Sequence, residues 1–121
     1  MAIRRAGWQG NARPQRERVW SSVFAGDHGV ALEGVSTVPQ AVTGQMLRNF
    51  ANGGAAISVM ARQLGATLDL RDLGLAVPIE PLPGVHHLNL APGSANLLRE
   101  PAMNAVLCRQ AMQEGRQAVL D

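Results

Sequence analysis

The chain has 121 residues, a length that suits one compact domain able to bury roughly two-thirds of its unfolded surface. Hydrophobic residues make up 46% and charged residues 17%, which excludes a disordered polar chain; aromatic residues are only 3%, so the core must be built from Ala, Val, Leu and Met. The formal net charge is only +2, every basic residue is Arg, and the single cysteine excludes an internally disulfide-stapled scaffold.

Residues 1–18 read as a poorly ordered basic tail, polar and broken by Gly7, Gly10 and Pro14. Arg4, Arg5, Arg13, Arg16 and Arg18 cluster there with only Trp8 beside them. Without an aromatic platform or helical context this is a solvated terminus, and no nucleic-acid partner is expected. No continuous apolar core follows the arginines, so there is no secretory signal, and no run approaches the roughly 20 apolar residues a membrane span needs. A cytoplasmic protein without membrane partners is the expectation.

Residues 19–25 form a short apolar run carrying Trp20 and Phe24, bounded by Gly26 and Gly29. Such a run predicts a strand buried on both faces. A helix is predicted next, with Thr37 as its capping hydroxyl, Gln40 three residues later and Pro39 in its first turn. Val42, Met46, Leu47 and Phe50 give it an apolar stripe, and Asn52-Gly53-Gly54 ends it. A second helix runs from 55 to 64 with Ile57, Met60, Ala61 and Leu64 on one face, closed by Gly65.

Residues 66–73 alternate apolar and polar, which predicts a strand with one exposed face or an edge strand. Residues 74–100 hold several prolines and glycines and read as a long connection with a short strand within 85–90. Pro101 opens a last helix, in which Cys108 is predicted to be a buried structural thiol beside Ala105, Val106 and Leu107. Strands separated by helices imply parallel pairing. The fold class is therefore α/β, a Rossmann-like parallel sheet with flanking helices, and so few strands make an incomplete portion of a larger domain.

Chemistry concentrates where the first strand ends. Asp27-His28-Gly29 offers a carboxylate for hydroxyl groups or a cation and an imidazole for proton exchange, with glycines allowing close approach. The plainer reading is a turn in which Asp27 bonds the backbone. Ser36, Thr37 and Gln45, with Val42 and Met46 as apolar walls, suit a planar heteroaromatic ring. Pro92-Gly93-Ser94-Ala95-Asn96 reads as an anion- or ribose-binding turn, and His86-His87 as ordinary loop residues.

These segments also carry a linear likeness. Phe24-Ala25-Gly26-Asp27-His28-Gly29-Val30, Glu33-Gly34-Val35-Ser36, Pro39-Gln40, Val42-Thr43, Gln45-Met46 and Gly53-Gly54-Ala55-Ala56-Ile57, with Pro92-Gly93-Ser94-Ala95-Asn96 and Pro101-Ala102-Met103, resemble the nicotinate-nucleotide–dimethylbenzimidazole phosphoribosyltransferases of cobalamin assembly. The resemblance implies transfer of the phosphoribosyl group of nicotinate mononucleotide to 5,6-dimethylbenzimidazole, giving α-ribazole phosphate. It makes residues 19–121 a partial phosphoribosyltransferase domain. It places Asp27, His28, Ser36, Thr37 and Gln45 at the substrates and implies no metal or other cofactor. Members of that family are much longer than this chain and are expected to be homodimers. Their amino-terminal helical segment, glycine-rich phosphate-binding segments and general-base glutamate have no counterpart here. The resemblance thus implies an inactive fragment with no catalytic residue of its own. Two alternatives remain at this point: a module that binds a benzimidazole or purine-like base without reacting it, and a metal-dependent hydrolase using Asp27, His28 and Glu33.

Overall fold

The computed structural model describes residues 2–13 and 18–120; Pro14 and Arg16 of the predicted tail lie outside the described residues. The elements run α1 (Ala2–Gln9), β1 (Trp20–Gly26), a 3-10 turn (Gly29–Glu33), α2 (Ala41–Ala51), α3 (Ala56–Leu64), β2 (Thr67–Gly74), β3 (Val85–His87) and α4 (Ala105–Leu120). The three strands form one sheet in the order β1-β2-β3, and both pairings are parallel. The parallel α/β class follows as expected: α2 and α3 cross from β1 to its neighbour β2, as parallel strands require. The first segment differs from expectation, since a helix occupies Ala2–Gln9 where a tail or loop is predicted.

The sheet reverses the predicted roles of its two longer strands. The alternating segment is the central strand β2, and its polar residues are buried: Asp69 is 5% exposed, Arg71 3% and Asp72 2%. β1 lies at the edge, paired only with β2 among the described residues, and its Trp20 and Phe24 remain 50% and 44% exposed. Alternation misleads because the polar side chains satisfy one another. Asp69 and Arg71, two apart on a strand, share one face. Arg71 Nε donates to Asp69 Oδ2 at 2.8 Å. His86 Nε2 from β3 lies 3.3 Å from Asp69 Oδ1, and Glu114 Oε2 from α4 lies 3.9 Å from Arg71 Nη1. Asp72 faces the other way. Its Oδ1 accepts from the Gly74 amide at 2.9 Å, and its Oδ2 lies 3.0 Å from His87 Nδ1. The Leu82 amide donates to His87 Nε2 at 3.0 Å, so the proton of that ring sits on Nδ1 and is given to Asp72. His86 and His87 are thus partners of buried carboxylates rather than ordinary loop residues.

The apolar core is small and aliphatic: Leu47, Ala55, Ala61, Leu70, Leu75 and Ala118. Leu47 of α2 is fully buried, as its stripe predicts. In α3 the small residues Ser58 and Ala61 turn inward, and Ser58 Oγ donates to the Phe50 carbonyl at 3.0 Å. Met60 and Leu64, predicted to face the core, are exposed. Gly65 ends α3 in the left-handed conformation, as expected for a cap. The last helix starts at Ala105, not at Pro101; Asn104 Oδ1 accepts from the Leu107 amide at 2.8 Å and caps it. Cys108 is exposed, because α4 turns Leu107 and Ala111 toward the sheet end and Cys108 away.

Removing one member of a buried ion pair strands the other in a dry site. Asp69→Ala should lower stability by about 3 kcal/mol in urea denaturation, with the arginine deprived of its 2.8 Å carboxylate partner. A surface pair gives a weaker, pH-dependent effect. Arg48 of α2 holds Glu80 through two hydrogen bonds of 2.8 and 2.6 Å. Hydrogen bonding from Arg48, helped by a backbone hydrogen bond, lowers the Glu80 carboxyl to about 2 from an ordinary 4.5. A carboxyl lowered by folding stabilises the fold above its unfolded value and loses that contribution as pH falls through the folded one. Thermal melts should therefore show a small advantage over Glu80→Gln that is complete above pH 4.5 and fades toward pH 2.

Candidate base-binding crevice

The carboxyl ends of β1 and β2 open into loops that are stitched together. Asp27, the residue after β1, is 6% exposed. Its Oδ1 accepts from Thr43 Oγ1 of α2 at 2.6 Å, and its Oδ2 from the Ala76 amide at 2.8 Å. Its backbone amide donates to the Gly74 carbonyl at 3.1 Å, and its carbonyl accepts from the Ser94 amide at 2.9 Å. The plainer reading of Asp27 as a turn carboxylate holds only in that one oxygen meets a backbone amide, and that amide is Ala76 in a distant segment rather than in the turn itself.

His28 pairs with Ser94 as an isolated parallel bridge. Its Nδ1 lies 3.0 Å from Ser94 Oγ, and its carbonyl accepts from Gln40 Nε2 at 3.0 Å. Two glycines make this close approach feasible. Gly93 has φ +126°, and a Cβ there would sit 2.8 Å from the Asp27 carbonyl oxygen. Gly74 has φ +142°, and a Cβ there would collide with the Ala91 carbonyl. The segment 92–96 thus clamps the first loop, and Glu33 completes the clamp by accepting from Asn96 Nδ2 at 2.6 Å and Arg99 Nη2 at 3.0 Å.

Beside this clamp lies an open hollow of about 580 Å³ between β1, the loop after it and α2. Phe24, Val42, Met46 and Phe50 form its apolar side; Ser36, Gln40, Thr43 and His28 add polar groups. Of the residues predicted from sequence, Asp27, His28 and Ser36 line it, and so do the predicted walls Val42 and Met46. Thr37 and Gln45 are exposed and not among the lining residues. Thr37 does not cap α2 either: the helix begins at Ala41, Gln40 before it is already helical, and the nearby hydroxyl of Ser36 instead donates to the Val38 carbonyl at 2.9 Å. Gln40 and Thr43 are the site residues that the sequence does not single out. Gln40 was legible only as part of a helix start, and Thr43 pairs with Asp27 across sixteen positions.

The hydrolase alternative fails on geometry. Asp27 is turned to Thr43 and Ala76, Glu33 to Asn96 and Arg99. Among the described residues no three His, Cys, Asp or Glu side chains are grouped to hold a metal.

The profile of the family described as DBI_PRT phosphoribosyltransferase matches residues 1–121. The chain belongs to this phosphoribosyltransferase family. It is 61% identical over 119 residues to the nicotinate-nucleotide–dimethylbenzimidazole phosphoribosyltransferase of Pseudomonas aeruginosa (strain UCBPP-PA14), covering 98% of this chain and 34% of that protein. The enzyme of the same name from Azotobacter vinelandii is 62% identical over 120 residues, with 98% and 34% covered. The crystal structure of CobT from Thermus thermophilus superposes with a TM-score of 0.90 at 40% identity, covering 97% of this chain and 35% of that one. The chain therefore spans about a third of the length of the relatives it matches.

The Asp27 carboxylate is held in one plane, since each oxygen faces a donor. Asp27→Asn either turns a donor amide against the Ala76 amide or turns it to Thr43, whose hydroxyl must then accept instead of donate; both exchanges lose a charge-assisted bond. A loss of about 1–3 kcal/mol is expected in chemical denaturation, against a negligible change for the exposed Gln45→Ala.

Proposed function

We propose that this chain supplies the base-binding crevice for transfer of the phosphoribosyl group of nicotinate mononucleotide to 5,6-dimethylbenzimidazole, giving α-ribazole phosphate and nicotinate. The observation that carries the reading is the hollow at the β1 end, apolar along α2 and edged by Ser36, Gln40 and His28, in a chain 61% identical to an enzyme of that name.

The chemistry fits the walls. A dimethyl-substituted benzimidazole is flat and largely apolar, so Val42, Met46 and Phe50 would bind its faces and methyl groups. Ser36 and Gln40 would orient the ring nitrogens, with Thr37 and Gln45 reserved for contacts at the outer edge. One ring nitrogen attacks the anomeric carbon of the ribose as the bond to nicotinate breaks. The other gives up its proton to a general base. Holding nucleophile and sugar in line is the crevice's contribution.

The proton has no acceptor among the carboxylates of the site. Asp27 spends both its oxygens on protein donors, and Glu33, held through Oε1 by Asn96 and Arg99, does not line the hollow. We therefore propose that the isolated chain binds the base without turning it over. The cytoplasmic location and homodimeric assembly of the whole enzyme belong to the same proposal and rest on the family resemblance. Among the described residues, no helix is long and apolar enough to cross a membrane.

Titration calorimetry with 5,6-dimethylbenzimidazole should show binding to the purified chain, weakened about tenfold by Met46→Ala through lost apolar contact. Absence of binding, or an unchanged affinity in that variant, would remove the crevice from the reading. An assay with both substrates should show no α-ribazole phosphate above background.

A further inference from the structure

At this strand end the Asp27 carboxylate is closed to a ligand, because its two oxygens accept from Thr43 and the Ala76 amide. The imidazole beside it is open on one side. His28 Nδ1 lies 3.0 Å from Ser94 Oγ, and that hydroxyl donates onward to the Ala95 carbonyl at 3.4 Å. A hydroxyl has one proton. Directed to Ala95, it leaves the Ser94 oxygen to accept from Nδ1–H, and the lone pair of His28 then sits on Nε2.

The backbone holds the pair in place. The Gly29 amide donates to the Ser94 carbonyl at 2.8 Å, the Ser94 amide to the Asp27 carbonyl at 2.9 Å, and Gln40 Nε2 to the His28 carbonyl at 3.0 Å. The His28 ring is exposed, lines the hollow, and has no partner for Nε2 among the described residues.

We propose that Ser94 is a positioning residue that fixes the His28 tautomer, so that Nε2 accepts a hydrogen bond from a ribose hydroxyl of the phosphoribosyl donor. This rests on the base-binding reading of the hollow, and it moves the sugar contact from Asp27 to His28. With its proton on Nε2, the ring would present a second donor to the hydroxyl and could only accept through a nitrogen already facing Ser94.

Long-range proton–nitrogen NMR correlations on the labelled chain test it. The spectrum reads on which ring nitrogen each of the 3 histidines carries its proton. His28 should carry its proton on Nδ1. Ser94→Ala should shift most of it to Nε2, and Ser94→Thr should restore Nδ1. His87, set independently by Asp72 and Leu82, should keep its tautomer throughout and marks an intact fold. Millimolar nicotinate mononucleotide should move the His28 Nε2 resonance, and nicotinate without its sugar should not. A proton on Nε2 in the unaltered chain overturns the proposal. So does a tautomer indifferent to Ser94→Ala, or an Nε2 unmoved by the mononucleotide. The first and third measurements need no variant, so misfolding of Ser94→Ala leaves the idea decidable. Loss of benzimidazole binding with the His28 responses intact would count against the base reading alone.

Discussion

One residue ties its own loop to three other stretches of chain. Asp27 reaches α2 through Thr43 and the segment after β2 through Ala76, while its backbone bonds Gly74 and Ser94. A carboxylate so nearly removed from water is tolerable only when its lone pairs meet donors. Here the donors come from the very elements that must converge to form the crevice. The entry of α2, the loop carrying His28 and the segment 92–96 are fixed relative to one another by the side chain and backbone of a single residue.

The same logic governs the middle of the sheet. β2 carries three charged residues into its buried stretch, and each is compensated from outside the strand or two positions along it. β3 supplies both histidines and α4 supplies Glu114. A three-residue strand of modest apolar content is thereby secured to the sheet through side chains as well as its ladder. The crevice at the carboxyl ends stands on this frame, since Gly74, the bonding partner of both Asp72 and Asp27, closes β2.

The parallel α/β class was legible because apolar strand runs alternate with helical stripes, and Gly65 and Leu47 behave as their local patterns require. The site was legible in part. A glycine-bounded Asp-His pair after a strand marks a loop at a sheet's carboxyl end, and Val42 with Met46 marks the helix face beside it. What could not be read is every feature decided by a partner distant in sequence. Asp69 and Arg71 look solvated until each is seen to face the other, and that inverts which strand is central. Thr43 looks like a bystander until Asp27 is placed against it. Thr37 has the residue type of a cap, yet the chain uses the neighbouring Ser36 to turn before the helix begins. Cys108 sits in an apolar stretch, but which side of α4 meets the sheet is a matter of packing.

The charged centre of β2 also constrains how the chain can drift over evolutionary time. Asp69 and Arg71 neutralise each other where water is excluded, so neither can be exchanged for an apolar residue alone without passing through a crippled intermediate. An apolar pair of matching volume would be tolerable, yet it lies two simultaneous changes away. Homologous sequences should therefore keep both charges or lose both together, with His86 and Glu114 free to wander only where the pair has already gone.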